Sequence, residues 1–479
     1  MGQDRKRATF SSYYMQSICK RLPSTLVFGF ILGILTYAFL SPHRPPIRGH
    51  SDNLPGPVQQ SLSTCPTSTC ECPSCDSKES VDLTPLAWLN GPPTKSFRDN
   101  LRDDTKYITS WGSSAGWTND VIAFINLVYL GLITDRVPIL PVFTSTHLPD
   151  RTPPLLFGEV FDMTRFRESL GKPVLEWREV KVTNSDIMDD LGCWNIWESV
   201  QYNEHGPRHS SVTHFLNLDI SYTKTPYWIK LIPHFEHDQF STFWALASLA
   251  FPEMREANLV PPLSSEQHKH SMPPDEHLFC LDMLFYVAAQ EPFEIGLDYS
   301  PAWRYVGQYM FWTERLEKIA DKYVRQTLGI AVHDPTPHFI SIHARRDDFQ
   351  GWCGDFTREE CFAPLDVIAR RVEEVRTEVW QRKGFMPYHV IITSDEKDKK
   401  WWDQVAEYGW KSPDHRDTVE LYGTSWYPVL IDAVIQSAGV GFVGTDRSTM
   451  SILAARRVAS WRDGAVRMVK WGRPNADDH

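Results

Sequence analysis

The sequence predicts an α/β protein of two Rossmann-like, doubly wound domains facing a cleft, behind an N-terminal transmembrane helix and a disordered stem. Three observations predict it. Strand, Gly-rich turn, helix and strand follow one another over residues 105–142, a βαβ unit that implies a parallel sheet. Strands and helices alternate again from residue 339 to the C-terminus. At 479 residues, the chain also exceeds the size at which a single core splits into domains.

The N-terminus is read first. Residues 22–40 are almost wholly apolar, close to the ~20 residues that span a bilayer. Arg5, Lys6, Arg7, Lys20 and Arg21 precede them, so residues 1–21 are expected as a cytosolic tail and the bulk as lumenal, a type II arrangement. The long basic lead, and Leu40 where cleavage requires a small residue, argue against a removed signal peptide. Residues 41–104 are rich in Pro, Ser, Thr and Gly and lack apolar periodicity, which reads as a flexible stem.

Cysteine usage agrees with a lumenal body. Cys65, Cys70, Cys72 and Cys75 fall in the stem; Cys193, Cys280, Cys353 and Cys361 fall beyond it. Only Cys72 and Cys75 have Cys-x-x-Cys spacing, so a zinc site lacks its second arm and disulfides are expected. Cys353 and Cys361 are close enough for a local bridge, and the stem cysteines can join two chains. Cys19, at the cytosolic membrane edge, is an ordinary thiol or an acylation site. No Asn-x-Ser/Thr sequon is present.

The composition is globular, 42% hydrophobic and 13% aromatic with 18 Trp. The net charge of −11 excludes a nucleic-acid binder, which needs a basic face. An anionic substrate must therefore find local positive charge.

The first domain, 105–330, starts with a strand at 105–111, a loop at 113–118, a helix at 119–132 and a strand at 137–142. Residues 149–300 carry many prolines, aromatics and histidines without a clean period, and read as an irregular insertion. Residues 302–328 read as one long helix, with Tyr305, Tyr309, Trp312, Leu316, Ile319 and Tyr323 at helical spacing. The second domain, 331–479, has strands at 339–342, 389–393 and 440–443, and helices at 364–382, 399–408, 426–436 and from Ser448 onward. No internal repeat occurs.

Two strand exits carry the chemistry. The strand at 339–342 runs into His343-Ala344-Arg345-Arg346-Asp347-Asp348-Phe349, and that at 440–443 into Gly444-Thr445-Asp446-Arg447-Ser448-Thr449. A guanidinium fork matches phosphate oxygens, and helix-start N–H groups attract anions from the backbone. Ligands of open α/β sheets sit at these carboxyl ends. The pair points to a diphosphate, carried by a nucleotide or a nucleotide-sugar. The plain alternatives are a surface ion pair of Arg345 with Asp347 or Asp348, and an ordinary Ser/Thr helix cap. There is no Asp-x-Asp, a pattern that holds a divalent cation on a diphosphate.

His343-x-Arg345-x-x-Asp348-Phe349 resembles the His-x-Arg-x-Gly-Asp-Phe signature of the protein O-fucosyltransferase superfamily. Phe442-Val443-Gly444-Thr445-Asp446-Arg447-Ser448-Thr449 is similar to its Phe-Ile-Gly-x-x-x-Ser-Ser/Thr segment, and Gly116-Trp117-Thr118-Asn119-Asp120 is a poorer echo of its N-terminal Gly-Phe-Asn-Asn-Gln loop. The resemblance runs from about Lys106 to Trp471, with 149–301 largely unmatched. It implies the GT-B arrangement, GDP-fucose bound mainly by the C-terminal half, and inverting transfer to a Ser or Thr hydroxyl without a metal or other cofactor. By the same resemblance, Arg345 grips the β-phosphate and glycosidic oxygen, where charge grows in the transition state. His343 contacts the nucleotide or orients Arg345, and Asp348 joins the donor-binding set. Thr445, Ser448 and Thr449 serve the phosphates, Asp432 accepts from guanine, and Asn119 holds the sugar or diphosphate. Asp120 is the nearest candidate for the general base. Two features depart from the pattern: Arg346-Asp347 replaces a pair containing Gly, and the N-terminal loop lacks a Gly run.

The expected function is a single-pass Golgi or endoplasmic-reticulum enzyme, its catalytic part lumenal, acting on a secretory-pathway protein or glycan. The alternative is a catalytically inactive, membrane-anchored scaffold on the same fold. A third reading, a lectin-like module, predicts no nucleotide affinity.

Overall fold

The computed structural model describes residues 81–477 apart from 113, 114, 202–204 and 332. The expected tail, membrane helix and stem up to residue 80, with their five cysteines, lie outside the described residues.

The N-terminal half is a six-stranded sheet whose strand pairs are all parallel. Strands β1 (Tyr107–Ser110), β2 (Val137–Leu140), β3 (Leu175–Glu176), β4 (Asp189–Asn195) and β5 (Leu218–Lys224) come first. The short β6 (Ser241–Thr242) and β8 (Val287–Ala288) pair with each other, and β7 (Leu278–Leu281) lies between them in sequence. The sheet order is β3-β2-β1-β7-β4-β5. β1, β2 and β7 are buried along their whole length, as expected of strands covered on both faces. Helix α1 (Trp117–Thr134) leaves β1 and is buried on most sides. It is long and apolar enough to cross a membrane by composition, but here it is a core helix, 83% buried.

The C-terminal half contains β9 (Phe339–Ala344), β10 (His389–Ser394), β11 (Gly441–Thr445) and β12 (Ala465–Val469) in the order β10-β9-β11-β12, again all parallel. Around it lie α2 (Glu314–Leu328), α3 (Leu365–Lys383), α4 (Lys399–Glu407), α5 (Trp426–Ala438) and α6 (Thr449–Arg462). The halves share one apolar core. Trp117, Val121 and Trp303 belong to the same buried cluster as Trp426, Ile435 and Leu453. Four indole N–H groups pin the boundary, Trp303 to Ser460 Oγ at 3.0 Å, Trp312 to Ser437 Oγ at 2.8 Å, Trp426 to the Pro153 carbonyl at 2.8 Å and Trp461 to the Gln308 carbonyl at 2.7 Å.

Three sequence expectations need correction. Residues 81–104, read as stem, pack on the N-terminal half: Phe97 and Asn100 are fully buried, and Ser96 Oγ donates to Asp189 at 2.5 Å. The segment 149–300, read as an irregular insertion, supplies β3, β4, β5 and β7 of the sheet. β3 and β7 are short, and the longer β4 and β5 carry polar residues near their starts, Asp189, Asp190 and Asp219, that mask the apolar signal. Finally, the helix expected over 302–328 is broken. A turn at Pro301–Tyr305 ends where Gly307 packs so tightly on Trp303 that a Cβ would sit 2.6 Å from the ring, and α2 starts only after Thr313.

Candidate functional site

The site is built where β1, β9 and β11 end. Ala344 closes β9, and Arg345 is the first residue beyond it. Its backbone N–H donates to Thr445 Oγ1 at 2.9 Å, while that hydroxyl donates to the His343 carbonyl at 3.1 Å. His343 Nδ1 meets Ser451 Oγ at 2.8 Å, and the same oxygen accepts the Thr445 N–H at 3.0 Å. The two strand exits singled out by sequence are therefore one hydrogen-bonded unit. Gly444 is required in it, because a Cβ there would lie 2.6 Å from the Phe442 ring and 2.8 Å from Ser451 Cβ. Burial, then the Arg345 charge, push the His343 pKa down to about 3, so the ring is neutral and serves as scaffold.

The Arg345 guanidinium faces outward, its side chain 22% exposed. It pairs with Asp348 at 2.7 Å and with Asp395, just past β10, at 3.0 Å. The surface-pair reading of Arg345 thus describes this structure in part, with Asp395 as second partner; Asp347 pairs with Lys397. Across the groove, Arg345 Nη2 is 3.5 Å from His147 Nδ1. His147 is exposed at the groove edge, yet partial desolvation by the surrounding chain, then the Arg345 charge, lower its pKa and keep this imidazole neutral.

Ser448 caps α6, donated to by Ser451 N–H at 3.5 Å, and the Arg447 backbone before it is left-handed at φ 64°. Thr449 reaches the other half: its hydroxyl donates to Asn119 Oδ1 at 2.9 Å and lies 2.7 Å from Thr118 Oγ1. The helix starts of α1 and α6 therefore meet at the groove, and Asn119 is placed where the sequence predicts.

Asp120 and Asp432 are placed differently. Asp120 is fully buried, accepting the Thr144 N–H at 3.3 Å and packed so closely on Gly112 that a Cβ there would meet its Oδ2 at 2.8 Å. Its carboxylate supports the loop wall and has no accessible surface. Asp432 accepts from His415 Nε2 at 2.8 Å, and His415 stacks on Tyr323 at 5.4 Å. Burial disfavours charge on His415, but the Asp432 bond and charge outweigh it and raise the pKa.

The departure at Arg346-Asp347 has a physical explanation. Arg346 turns inward, its Nε 2.6 Å from the buried Glu396, with the guanidinium over Phe362 and Trp401. Arg358 meets the same carboxylate at 2.8 Å. The chain at 346 has ordinary negative φ, so no glycine is needed. Phe349, Trp352 and Trp471 stack beside Arg345, with Phe349 4.8 Å from each of the other rings. Cys353 and Cys361 are disulfide-bonded, as expected, and anchor this loop; Cys193 and Cys280 form a second bridge between β4 and β7.

Sequence reasoning missed Asp395, Ser451 and His147. Asp395 follows a strand and obeys the same strand-exit rule as Arg345, so a signal existed. His147 lies on an irregular loop with no pattern to mark it.

The sequence profile of a family described as GDP-fucose protein O-fucosyltransferase matches residues 107–459. Among solved structures, POFUT1 in complex with GDP-fucose is 13% identical, covering 78% of this chain and 99% of its own, with a TM-score of 0.48. An Arabidopsis thaliana FUT1 mutant in complex with GDP is 12% identical, covering 74% and 69%, with a TM-score of 0.32. The fucosyltransferase NodZ from Bradyrhizobium is 12% identical, covering 74% and 93%, with a TM-score of 0.35. No curated protein matches the chain.

Proposed function

The chain belongs to the GDP-fucose protein O-fucosyltransferase family, and on that premise we propose that it moves fucose from GDP-fucose to a hydroxyl of a protein (Ser/Thr) or glycan, with inversion and without a metal. The observation that carries this reading is the 2.9 Å bond between the Arg345 N–H and Thr445 Oγ1, which locks a guanidinium beside a helix-start anion site.

The chemistry follows from charge. As the sugar C1–O bond breaks, negative charge grows on the departing β-phosphate. A cation fixed there acts mostly on the transition state. Arg345 is held in readiness by Asp348 and Asp395, and the pyrophosphate replaces those carboxylates on arrival. Ser448 and Thr449 offer hydroxyls and amides to its other oxygens, while Thr445 holds the frame because its O–H and N–H are already given to His343 and Ser451. Asn119 approaches from the opposite half, and Asp432, with His415, offers an acceptor for guanine. The acceptor hydroxyl attacks C1 from the face away from the phosphate and must lose a proton. Asp120 has no accessible surface for that proton; His147, neutral and facing the groove, fits the base role better.

The basic lead before residues 22–40 supports a type II anchor in the Golgi or endoplasmic reticulum. The bridges Cys193–Cys280 and Cys353–Cys361 support an oxidising lumen for the body. The scaffold reading draws its support from the two ion pairs that occupy Arg345.

Thermal-shift titration tests the whole. GDP and GDP-fucose are expected to raise Tm, the stabilisation growing as RT ln(1 + [L]/Kd), UDP to leave it unchanged, and Arg345→Ala to reduce the gain. GDP binding without fucose transfer to any acceptor or to water would favour the scaffold, and no nucleotide response would overturn the transferase reading.

A further inference from the structure

The end of the N-terminal sheet opposite the groove carries a second constellation. Asp190 and Asp219 are register neighbours near the N-terminal ends of β4 and β5. Two imidazoles from one turn converge on Asp190: His268 Nδ1 lies 2.7 Å from Oδ1, and His270 Nδ1 lies 2.7 Å from Oδ2. Ligand atoms from all three residues lie within 4.8 Å of one another, and no other His, Cys, Asp and Glu group among the described residues meets that spacing.

The turn is built to present them. Asp219, 3% exposed, accepts the backbone N–H groups of Gln267 at 3.0 Å and His268 at 2.6 Å, and the Ser265 hydroxyl at 2.7 Å. Ser265 N–H closes the turn on the His270 carbonyl at 2.8 Å. Between the histidines, Lys269 adopts φ 58°, a left-handed conformation that a β-carbon disfavours. That strained residue lets residues i and i+2 send both rings to one carboxylate. A surface ion pair needs neither the second ring nor the strain.

We propose that Asp190, His268 and His270 form a structural site for a divalent transition metal of zinc type. Two imidazole nitrogens and one carboxylate oxygen suit the mixed N/O preference of such an ion, with water completing four-coordination. On binding, the metal takes the place of the Nδ1 protons: a doubly protonated ring releases one proton to solvent, and a neutral ring carries its proton on Nε2 instead. The ion ties the 264–271 turn to β4. It lies at the wrong end of the sheet for the groove, so it is separate from the transfer chemistry and does not depend on the function proposed above.

The test uses the full chain, stripped by chelator and titrated with zinc ion alone by calorimetry and thermal shift. Wild type is expected to bind one zinc more per chain than the His268→Ala/His270→Ala double variant, and to gain in Tm where the variant does not. Asp190→Asn is expected to weaken binding at least tenfold. The circular dichroism spectrum and a cooperative melt of the metal-free double variant, compared with metal-free wild type, report that its fold is intact. Equal zinc stoichiometry and affinity in wild type and double variant, or no zinc uptake by wild type at micromolar concentration, overturns the site.

Discussion

The backbone N–H of Arg345 donates to the Thr445 hydroxyl at 2.9 Å, so two loops a hundred residues apart in sequence share one hydrogen-bonded frame. The frame fixes where the Arg345 side chain starts; the ion pairs with Asp348 and Asp395 fix where it points. Arg345→Ala is expected to lower kcat about 10²–10³-fold, the usual cost of removing one preorganised charge donor, with Tm little changed. Arg345→Lys keeps the charge but loses the fork, and recovers only part of the rate. Steady-state kinetics beside a melting curve checks both.

Thr449 and Asn119 join the two helix starts across the groove, at 2.9 Å. Asn119→Ala removes the acceptor and leaves the Thr449 hydroxyl to Thr118 or water. A neutral hydrogen bond is worth about 1 kcal/mol, so donor affinity is expected to fall about fivefold. Titration calorimetry with GDP and with GDP-fucose reads it directly. Unchanged affinity would remove Asn119 from the donor site.

How much of this was legible in the sequence follows from signal strength. The C-terminal half was readable because β9, β10 and β11 are apolar runs ended by recognisable exits, and Arg345, Thr445 and Ser448 converge as the motifs imply. The N-terminal half was not, since β3 has two residues and β4 begins Asp-Asp. Residues 81–104 look like stem by composition, yet Phe97 anchors them. Asp120 shows the limit of motif spacing, which places a carboxylate in a loop without saying which way it points.

The disulfides differ in the loop they close, and so in their effect. Cys193–Cys280 closes 87 residues and Cys353–Cys361 only 8. By the chain-entropy relation, removing the first costs about 4–5 kcal/mol and the second about 2–3 kcal/mol. Paired Cys→Ala variants in urea melts are expected to rank in that order.

His147 is the groove imidazole, with a pKa lowered by partial desolvation and by Arg345. A base works only when unprotonated. The rate is therefore expected to hold above the His147 pKa and to fall as pH drops through it, below the ordinary histidine value near 6.5. His147→Gln removes this acid limb and lowers kcat about 10²–10⁴-fold, with GDP affinity kept. Asp120→Asn, which perturbs a buried wall, is expected to lower Tm while leaving the limb in place. If Asp120→Asn erases the limb and His147→Gln does not, the assignment reverses.

Asp282 stands just past β7, fully buried, and accepts backbone N–H groups from Ile196 at 2.7 Å, Trp197 at 3.2 Å and Arg208 at 3.0 Å. Burial raises its pKa to about 7, although those donors act to lower it. In the unfolded chain the group titrates near 3.8, so between those values the folded protein holds a proton that the unfolded one has released. The resulting stability is complete below pH 3.8, declines as pH rises, and is gone above pH 7. The slope it adds cannot exceed about 1.4 kcal/mol per pH unit. Asp282→Asn is expected to be less stable, because its amide N–H₂ must face at least one of those backbone N–H donors. It is also expected to lose the decline, so that Tm of wild type minus Tm of the variant shrinks steadily from pH 5 to pH 7.5. A difference that stays constant over that range would mean that Asp282 is ionised throughout, its three backbone donors outweighing burial.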